Sequence, residues 1–277
     1  MVQLRLYNSR KNNIIELQVT LRHSDIMMRS LPLFVILVST VNGHGYLSEP
    51  PSRNILAKNQ NCPHCLNGGT VDDVSAKKTL RWPRGNHGLC GDSFYDTAPR
   101  NHEAGGTYYQ KGVHTNYTQG QVMDIDIDIT TNHNGRFGFR ICKVNGGYDS
   151  AVENEKKELT EECFDQNILQ QANVAGAQSP GQRWFYTNPQ DPVSTAYNLH
   201  YQLPEDLVCD GQESHCVLQW YWMTFNTCQP SDAPVKYTRS EYHLRNCDKY
   251  EGDDFVFPEE FWNCADIVIQ KPWMAAS

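Results

Sequence analysis

The 277-residue chain carries 24 basic and 32 acidic side chains, a formal charge of −8 at pH 7, and ten cysteines. Nucleic acid and anionic membrane surfaces would repel such a balance, so both are excluded as expected partners, whereas a neutral partner is not. The length suffices for one sizeable domain.

Residues 1–26 are polar and without an evident role. Arg29 precedes LPLFVILV (31–38), an apolar run of eight, and VNG (41–43) sets Val41 and Gly43 at the −3 and −1 positions of a signal-peptidase site. A membrane helix needs roughly 20 apolar residues, more than this run offers. The pattern predicts a leader over 1–43, its signal-peptide core at about 28–43 with Met27 or Met28 a candidate start, and one secreted domain over 44–277. Cleavage after Gly43 would leave 19 basic and 30 acidic side chains and make His44 the first residue. The final KPWMAAS has no apolar tail for a lipid anchor, and no linker or repeat suggests an appended module.

Residues 44–120 are rich in Gly, Pro, Asn and Cys and read as a long loop-rich region pinned by Cys62, Cys65 and Cys90. Asn116 opens the sequon NYT, a candidate N-glycosylation site. From 121 the pattern changes. In VMDIDIDIT, Met123, Ile125, Ile127 and Ile129 alternate with Asp124, Asp126 and Asp128, the period of a half-buried strand. RFGFRIC groups Phe137, Phe139 and Ile141; VLQWYWMTF (217–225) groups Leu218, Trp220 and Trp222, which read as core; ADIVIQ (265–270) groups Ile267 and Ile269. NLHYQLP is a further strand candidate, and SAVENEKKELTEECF reads as the one helix or as a charged loop. Short strands with long connections predict an all-β antiparallel sandwich with little helix. The cysteines (Cys62, Cys65, Cys90, Cys142, Cys163, Cys209, Cys216, Cys228, Cys247 and Cys264) all follow residue 43, and an even count in a secreted chain predicts five disulfides of undetermined connectivity.

Asn134-Gly135 is a hairpin signal between the first two strands. A two-residue turn would set Ile129 on one face with Gly138 and Arg140, mixing apolar and polar faces. An odd-length loop centred on residue 133 would instead match Ile129 to Phe137. If those strands pair, His133 belongs at an exposed apex.

Three metal or redox readings follow. A mature N-terminal His44 offers an amine and an imidazole to Cu(II), which favours nitrogen in a tetragonal plane, and His133 could add a third nitrogen. Cys62, Cys65, His87 and Cys90 have zinc-like spacing, although disulfides are favoured in an oxidising compartment. CPHC (62–65) resembles a dithiol–disulfide site, but LNGGT follows it where a helix N-terminus would be needed.

The blocks HGYLSEPPSRN, CPHCLNGG, HGLCGD, ITTNHNGRFGFRIC, LQWYWMTFNTC and EEFWNCADI, in this order over nearly all of 44–270, resemble the lytic polysaccharide monooxygenases of auxiliary activity family 15, known chiefly from arthropods and other animals. The resemblance implies an immunoglobulin-like (fibronectin-like) sandwich holding one copper ion through His44 and His133. It implies an axial aromatic residue at Phe261, or at Trp262 if the alignment slips by one. Thr131 stands where an alanine is frequent two residues before the second histidine, which puts the crowding there in question. Family behaviour implies a monomeric secreted enzyme oxidising crystalline chitin or cellulose with an external electron donor, with Tyr46 a candidate substrate contact. A noncatalytic polysaccharide-binding protein would share the fold and would be told apart by a mature N-terminus that does not hold copper. His87 and His114 are the next candidates should His133 not be a ligand.

Overall fold

The computed structural model describes residues 44–57, 62–69, 71–77, 79–238, 244–249 and 256–272; the expected signal peptide lies outside the described residues. The strands are β1 (His44–Glu49), β2 (Thr115–Thr118), β3 (Val122–Thr131), β4 (Arg136–Asn145), β5 (Gln170–Gln171), β6 (Phe185–Tyr186), β7 (Thr195–Gln202), β8 (Ser214–Met223), β9 (Cys228–Gln229), β10 (Arg245–Asn246) and β11 (Glu260–Gln270). Four form one sheet in the order β1-β3-β7-β5, and five form a second in the order β2-β11-β8-β4-β6. Pairing is antiparallel within both sheets except that β2 runs parallel to β11. A short parallel pair, β9 with β10, stands apart.

The period-two pattern of β3 has a direct physical result. Met123, Ile125, Ile127 and Ile129 are 0–1% exposed and face Phe137, Phe139, Ile141, Leu218, Trp220 and Trp222 of the second sheet in one core. Each such side chain contributes roughly 1.5–3 kcal/mol on full burial.

The second sheet is buried on both faces, and its strands therefore lose the alternation of β3. Its outer face is covered by the irregular region after β1 and by α3 (Ala151–Glu158) and α4 (Glu161–Phe164), which follow the short α1 (Arg53–Leu56) and α2 (Val71–Val74). The predicted single helix over 150–164 is thus two helices, broken at Leu159 and restarted where the Thr160 hydroxyl caps the Cys163 N–H. Likewise β11 begins at Glu260, five residues before the predicted strand, because Glu260 to Cys264 carry no period-two signal.

All ten cysteines are paired: Cys62–Cys65, Cys90–Cys264, Cys142–Cys163, Cys209–Cys216 and Cys228–Cys247. The favoured disulfide reading thus holds over the zinc alternative: Cys62, Cys65 and Cys90 are not thiolates, and His87 stacks on Trp262 at 3.9 Å. CPHC is a closed disulfide in a 3₁₀ turn, Pro63–Cys65, with Leu66 extended after it; no helix follows to favour a thiolate.

Arg53, 1% exposed, ties the covering region to the sheet. Its Nε and Nη2 donate to Asp266 of β11 at 3.0 and 2.6 Å, its Nη1 and Nη2 to Glu155 of α3 at 3.0 and 2.8 Å, and Nη1 also to the His102 carbonyl at 3.1 Å. His215 Nε2 lies 3.2 Å from Glu155. Burial opposes a charge on that imidazole, but Glu155 and the Gly146 carbonyl outweigh it and raise its pKa. Arg53 thus bridges two buried carboxylates, and His215 adjoins one of them. Breaking a buried pair costs more than the pair itself contributes, because a bare charge is left behind. Replacing Arg53 by Met is expected to lower stability by about 3–5 kcal/mol. Urea unfolding checks this: a lower midpoint at unchanged slope is expected, and a wild-type midpoint would contradict it.

Candidate metal centre

His44 opens β1 and pairs across to Thr131 at the end of β3, with a register shift between His44 and Gly45. Position 45 is tightly enclosed, so a side chain there would force its neighbours to shift. A Cβ on it would lie 2.4 Å from Ile129 Cδ1 and 3.3 Å from the Trp222 ring. The missing side chain lets β1 lie close on its neighbours and holds His44 at the edge of the sandwich. Farther along, the Leu47 N–H donates to Asn263 Oδ1 at 2.9 Å, fastening β1 to β11.

The strands flanking His133 belong to different sheets, so the expected hairpin does not form and strand parity places nothing there. Residues 132–135 cross between the layers. Asn134 takes φ 56° and Gly135 φ 121°, and a Cβ on Gly135 would fall 2.0 Å from the Met223 carbonyl oxygen. His133 is accordingly not an exposed apex: its side chain is 16% exposed and framed on one side. Its Nδ1 lies 2.9 Å from Glu259 Oε2 and 3.1 Å from Asn226 Nδ2, which is also 3.1 Å from Glu259 Oε2. An ionised carboxylate only accepts, so the proton sits on Nδ1, and the Asn226 amide donates to Glu259. That tautomer puts the ring's lone pair on Nε2, which has no partner among the described residues.

His44 is complementary. Its Nδ1 is buried with no hydrogen-bond partner among the described residues. Burial pushes its pKa down, the nearby His64 and His133 add to this, and Glu259 opposes it. A neutral imidazole with a lone pair is the form that binds metal. The histidine pair and Glu259 are therefore brought into one electrostatic neighbourhood, with Nδ1 open on one ring and Nε2 on the other. Were the chain cleaved after Gly43 as the sequence predicts, the His44 amine would add a third nitrogen. This donor set fits copper.

Two neighbours of the site, His64 and Glu259, carry no sequence signal that marks them as members. His64 sits in the Cys62–Cys65 turn, its ring 5.3 Å from that of His44 and edge-on to it. CPHC draws attention to its sulfurs, while Glu259 lies before a strand of unclear start. The metal-like grouping of Cys62, His64 and Cys65 within 4.8 Å offers one nitrogen only, since the sulfurs are bonded to each other.

The two aromatic candidates point to opposite faces of β11. Phe261, 1% exposed, stacks at 4.9 Å on Trp222, whose indole N–H donates to the Asn134 carbonyl at 2.9 Å and whose ring lies against Gly45. It thus belongs to the packing beneath both histidine-bearing segments. Trp262 faces outward, stacked between His87 at 3.9 Å and Tyr221 at 5.4 Å. Tyr46 is half-buried on the outer face of the first sheet, paired in register with Asp128; burial and then Asp128 raise its pKa. His114 stacks on Tyr148 at 5.0 Å. Asn116 is exposed on edge strand β2.

Glu260, just before Phe261, shares the outer face with Trp262. It is buried on the outer face and accepts from Trp82 Nε1 at 3.1 Å and from the Tyr221 hydroxyl. Burial pushes its carboxyl up to about 7, against the pull of those two donors.

Residues 44–267 match the family described as lytic polysaccharide mono-oxygenase, cellulose-degrading. The Cu(I)-state structure of an auxiliary activity family 15 lytic polysaccharide monooxygenase from Thermobia domestica is 30% identical, with a TM-score of 0.56, over 82% of this chain and 99% of that one. A lytic polysaccharide monooxygenase (aasB) of Emericella nidulans is 29% identical over 84% of this chain and 73% of its own length. An auxiliary activity family 13 enzyme of Aspergillus terreus is 28% identical over 50% of this chain, and the match spans 36% of that protein.

The raised carboxyl of Glu260 sets a pH dependence. A carboxyl whose folded pKa lies above its unfolded one holds its proton more tightly when folded, so the associated stability is present below the ordinary value of 4.5 and is lost as pH rises through about 7. The loss is on the order of 3 kcal/mol. Glu260→Gln is expected to flatten the fall in unfolding free energy over this window. A variant whose profile still falls as steeply as wild type would show that Glu260 is not its source.

Proposed function

The chain belongs to the lytic polysaccharide monooxygenases, in auxiliary activity family 15, and on that premise we propose that it is a secreted copper enzyme that cleaves chitin or cellulose oxidatively, with His44 and His133 as its copper ligands. The observation that carries this is the complementary state of the two rings: His44 Nδ1 is buried and unpartnered, and His133 Nδ1 is held by Glu259 so that Nε2 is left open. Copper held by three nitrogens supplies one-electron chemistry toward an oxygen co-substrate, with an external reductant as electron donor.

The chain's own residues do the rest. Glu259 and Asn226 fix the tautomer and direction of the His133 ring. Gly45 and Trp222 hold the His44 segment against the sandwich, and Phe261 fills the space beneath. His64 flanks the His44 ring from the disulfide turn. Thr131, opposite His44 in register, adds bulk where a smaller residue would leave more room. Tyr46, two residues along β1 and half-buried like His44, is the residue of this strand that would contact a polysaccharide surface. Secretion requires cleavage after Gly43, which also creates the amine. Among the described residues no helix is long and apolar enough to cross a membrane.

Mass spectrometry of soluble products from chitin and from cellulose, with copper and ascorbate, tests the activity and distinguishes the substrates. Two variants test the ligand set. An alanine added before His44 converts the amine to an amide, so tight copper binding and product formation should both be lost; retention of wild-type copper affinity would remove His44 as a chelating terminus. Glu259→Gln should weaken copper binding by roughly 10–100-fold, the usual effect of losing the group behind a ligating histidine. Unchanged affinity by competition titration would leave Glu259 without that role.

A further inference from the structure

The Cys62–Cys65 disulfide closes the shortest ring of the five, with a sequence separation of 3 against 7 to 174 for the others. Closing so short a loop removes little freedom from the unfolded chain, so this bond contributes least to global stability and its effect is local. What it fixes locally is the 3₁₀ turn Pro63–Cys65, with the half-buried His64 at its centre.

The turn is fastened on both sides. Asn54, 1% exposed and adjacent to Arg53, donates from Nδ2 to the Pro63 carbonyl at 3.1 Å. The Cys65 N–H donates to the Cys62 carbonyl at 3.2 Å. On the exit side, a Cβ on Gly91 would lie 3.1 Å from Leu66 Cβ, and a Cβ on Gly68 would lie 2.3 Å from His87 Cβ, so the chain after the turn is pressed against its surroundings. The covering region therefore holds the backbone that carries His64.

His44 has less to hold it. It opens β1, and the register against β3 shifts directly after it. Its carbonyl accepts from Thr130 Oγ1 at 3.3 Å, which steadies the backbone and leaves the ring free to turn. Its Nδ1 makes no hydrogen bond among the described residues, so no polar partner orients the imidazole through that atom. The ring that meets it is His64, edge-on, with centroids 5.3 Å apart and planes at 68°. A ligand whose rotation must be frozen on binding loses affinity, and one already held does not. On the assignment of His44 as a metal ligand, we propose that His64 is a positioning residue for that centre: pinned by the Cys62–Cys65 ring, it fixes the plane of the His44 imidazole by packing and not through its own nitrogens.

The chain beginning at His44 tests this, first without copper. Carbon NMR relaxation of the His44 ring should report a looser ring in His64→Ala and in the double variant Cys62→Ala/Cys65→Ala. His64→Phe keeps an aromatic edge without a nitrogen and should hold the ring as wild type does. Melting of these copper-free variants should stay close to wild type, because His64 lies half-buried in a turn. With copper, competition titration should show affinity about 2–10-fold weaker in His64→Ala, the range for ordering one side chain on binding, together with an altered Cu(II) EPR spectrum. His64→Phe should retain both the affinity and the spectrum. A His44 ring as ordered as wild type in His64→Ala or in the disulfide-free variant would overturn the proposal. So would a His64→Phe variant as weak as His64→Ala, which would make His64 a ligand. Wild-type protein that binds no copper, with the His44 ring still loosened in His64→Ala, would remove the ligand assignment and leave the positioning of His44 standing.

Discussion

The buried contact between Arg53 and Asp266 is the constraint on which the rest of the architecture depends. A sandwich alone would leave the outer face of β8 and β11 in water. Instead a region poor in regular structure covers it, and such a region has few backbone ladders with which to attach itself. Arg53 supplies the attachment with five donated hydrogen bonds, to Asp266, Glu155 and the His102 carbonyl. The Cys90–Cys264 disulfide adds a covalent tie two residues away on β11. Because Arg53 follows β1 closely, the same contact fixes where the His44 strand leaves the sheet.

That attachment has a consequence along β11. The strand is buried on both faces and carries different work on each. Phe261 packs inward beneath the histidine segments, while Glu260 and Trp262 face the covered outer side. Glu259, just before the strand, turns to His133. Glu259, beside His133, and the buried Glu260 thus serve different surroundings from adjacent positions at one strand end.

Part of this arrangement is legible in the amino-acid sequence. The isoleucine–aspartate alternation of β3 and the aromatic alternation of β4 and β8 mark the inward faces, since period two is a local property of an extended chain. The family blocks point to His44, His133 and Phe261 together. Other features are not legible. The Asn134-Gly135 pair reads as a hairpin, yet it joins strands in two sheets, because a left-handed turn serves a crossover as well as a hairpin. Glu259, Asn226 and His64 come from loops far apart in the chain, and no spacing rule links them to His133 or His44.

By itself the sequence determined the strand faces, the even cysteine count and the histidine that cleavage would expose, because each depends on neighbouring residues or on composition. Only the tertiary structure decided which cysteines pair, that His133 is framed by Glu259 and Asn226 rather than exposed, and that Phe261 and not Trp262 faces inward. The reason is physical: a side chain's tautomer, burial and charge balance are set by groups brought in from distant segments, and those arrive only when the two sheets and their covering region close on one another.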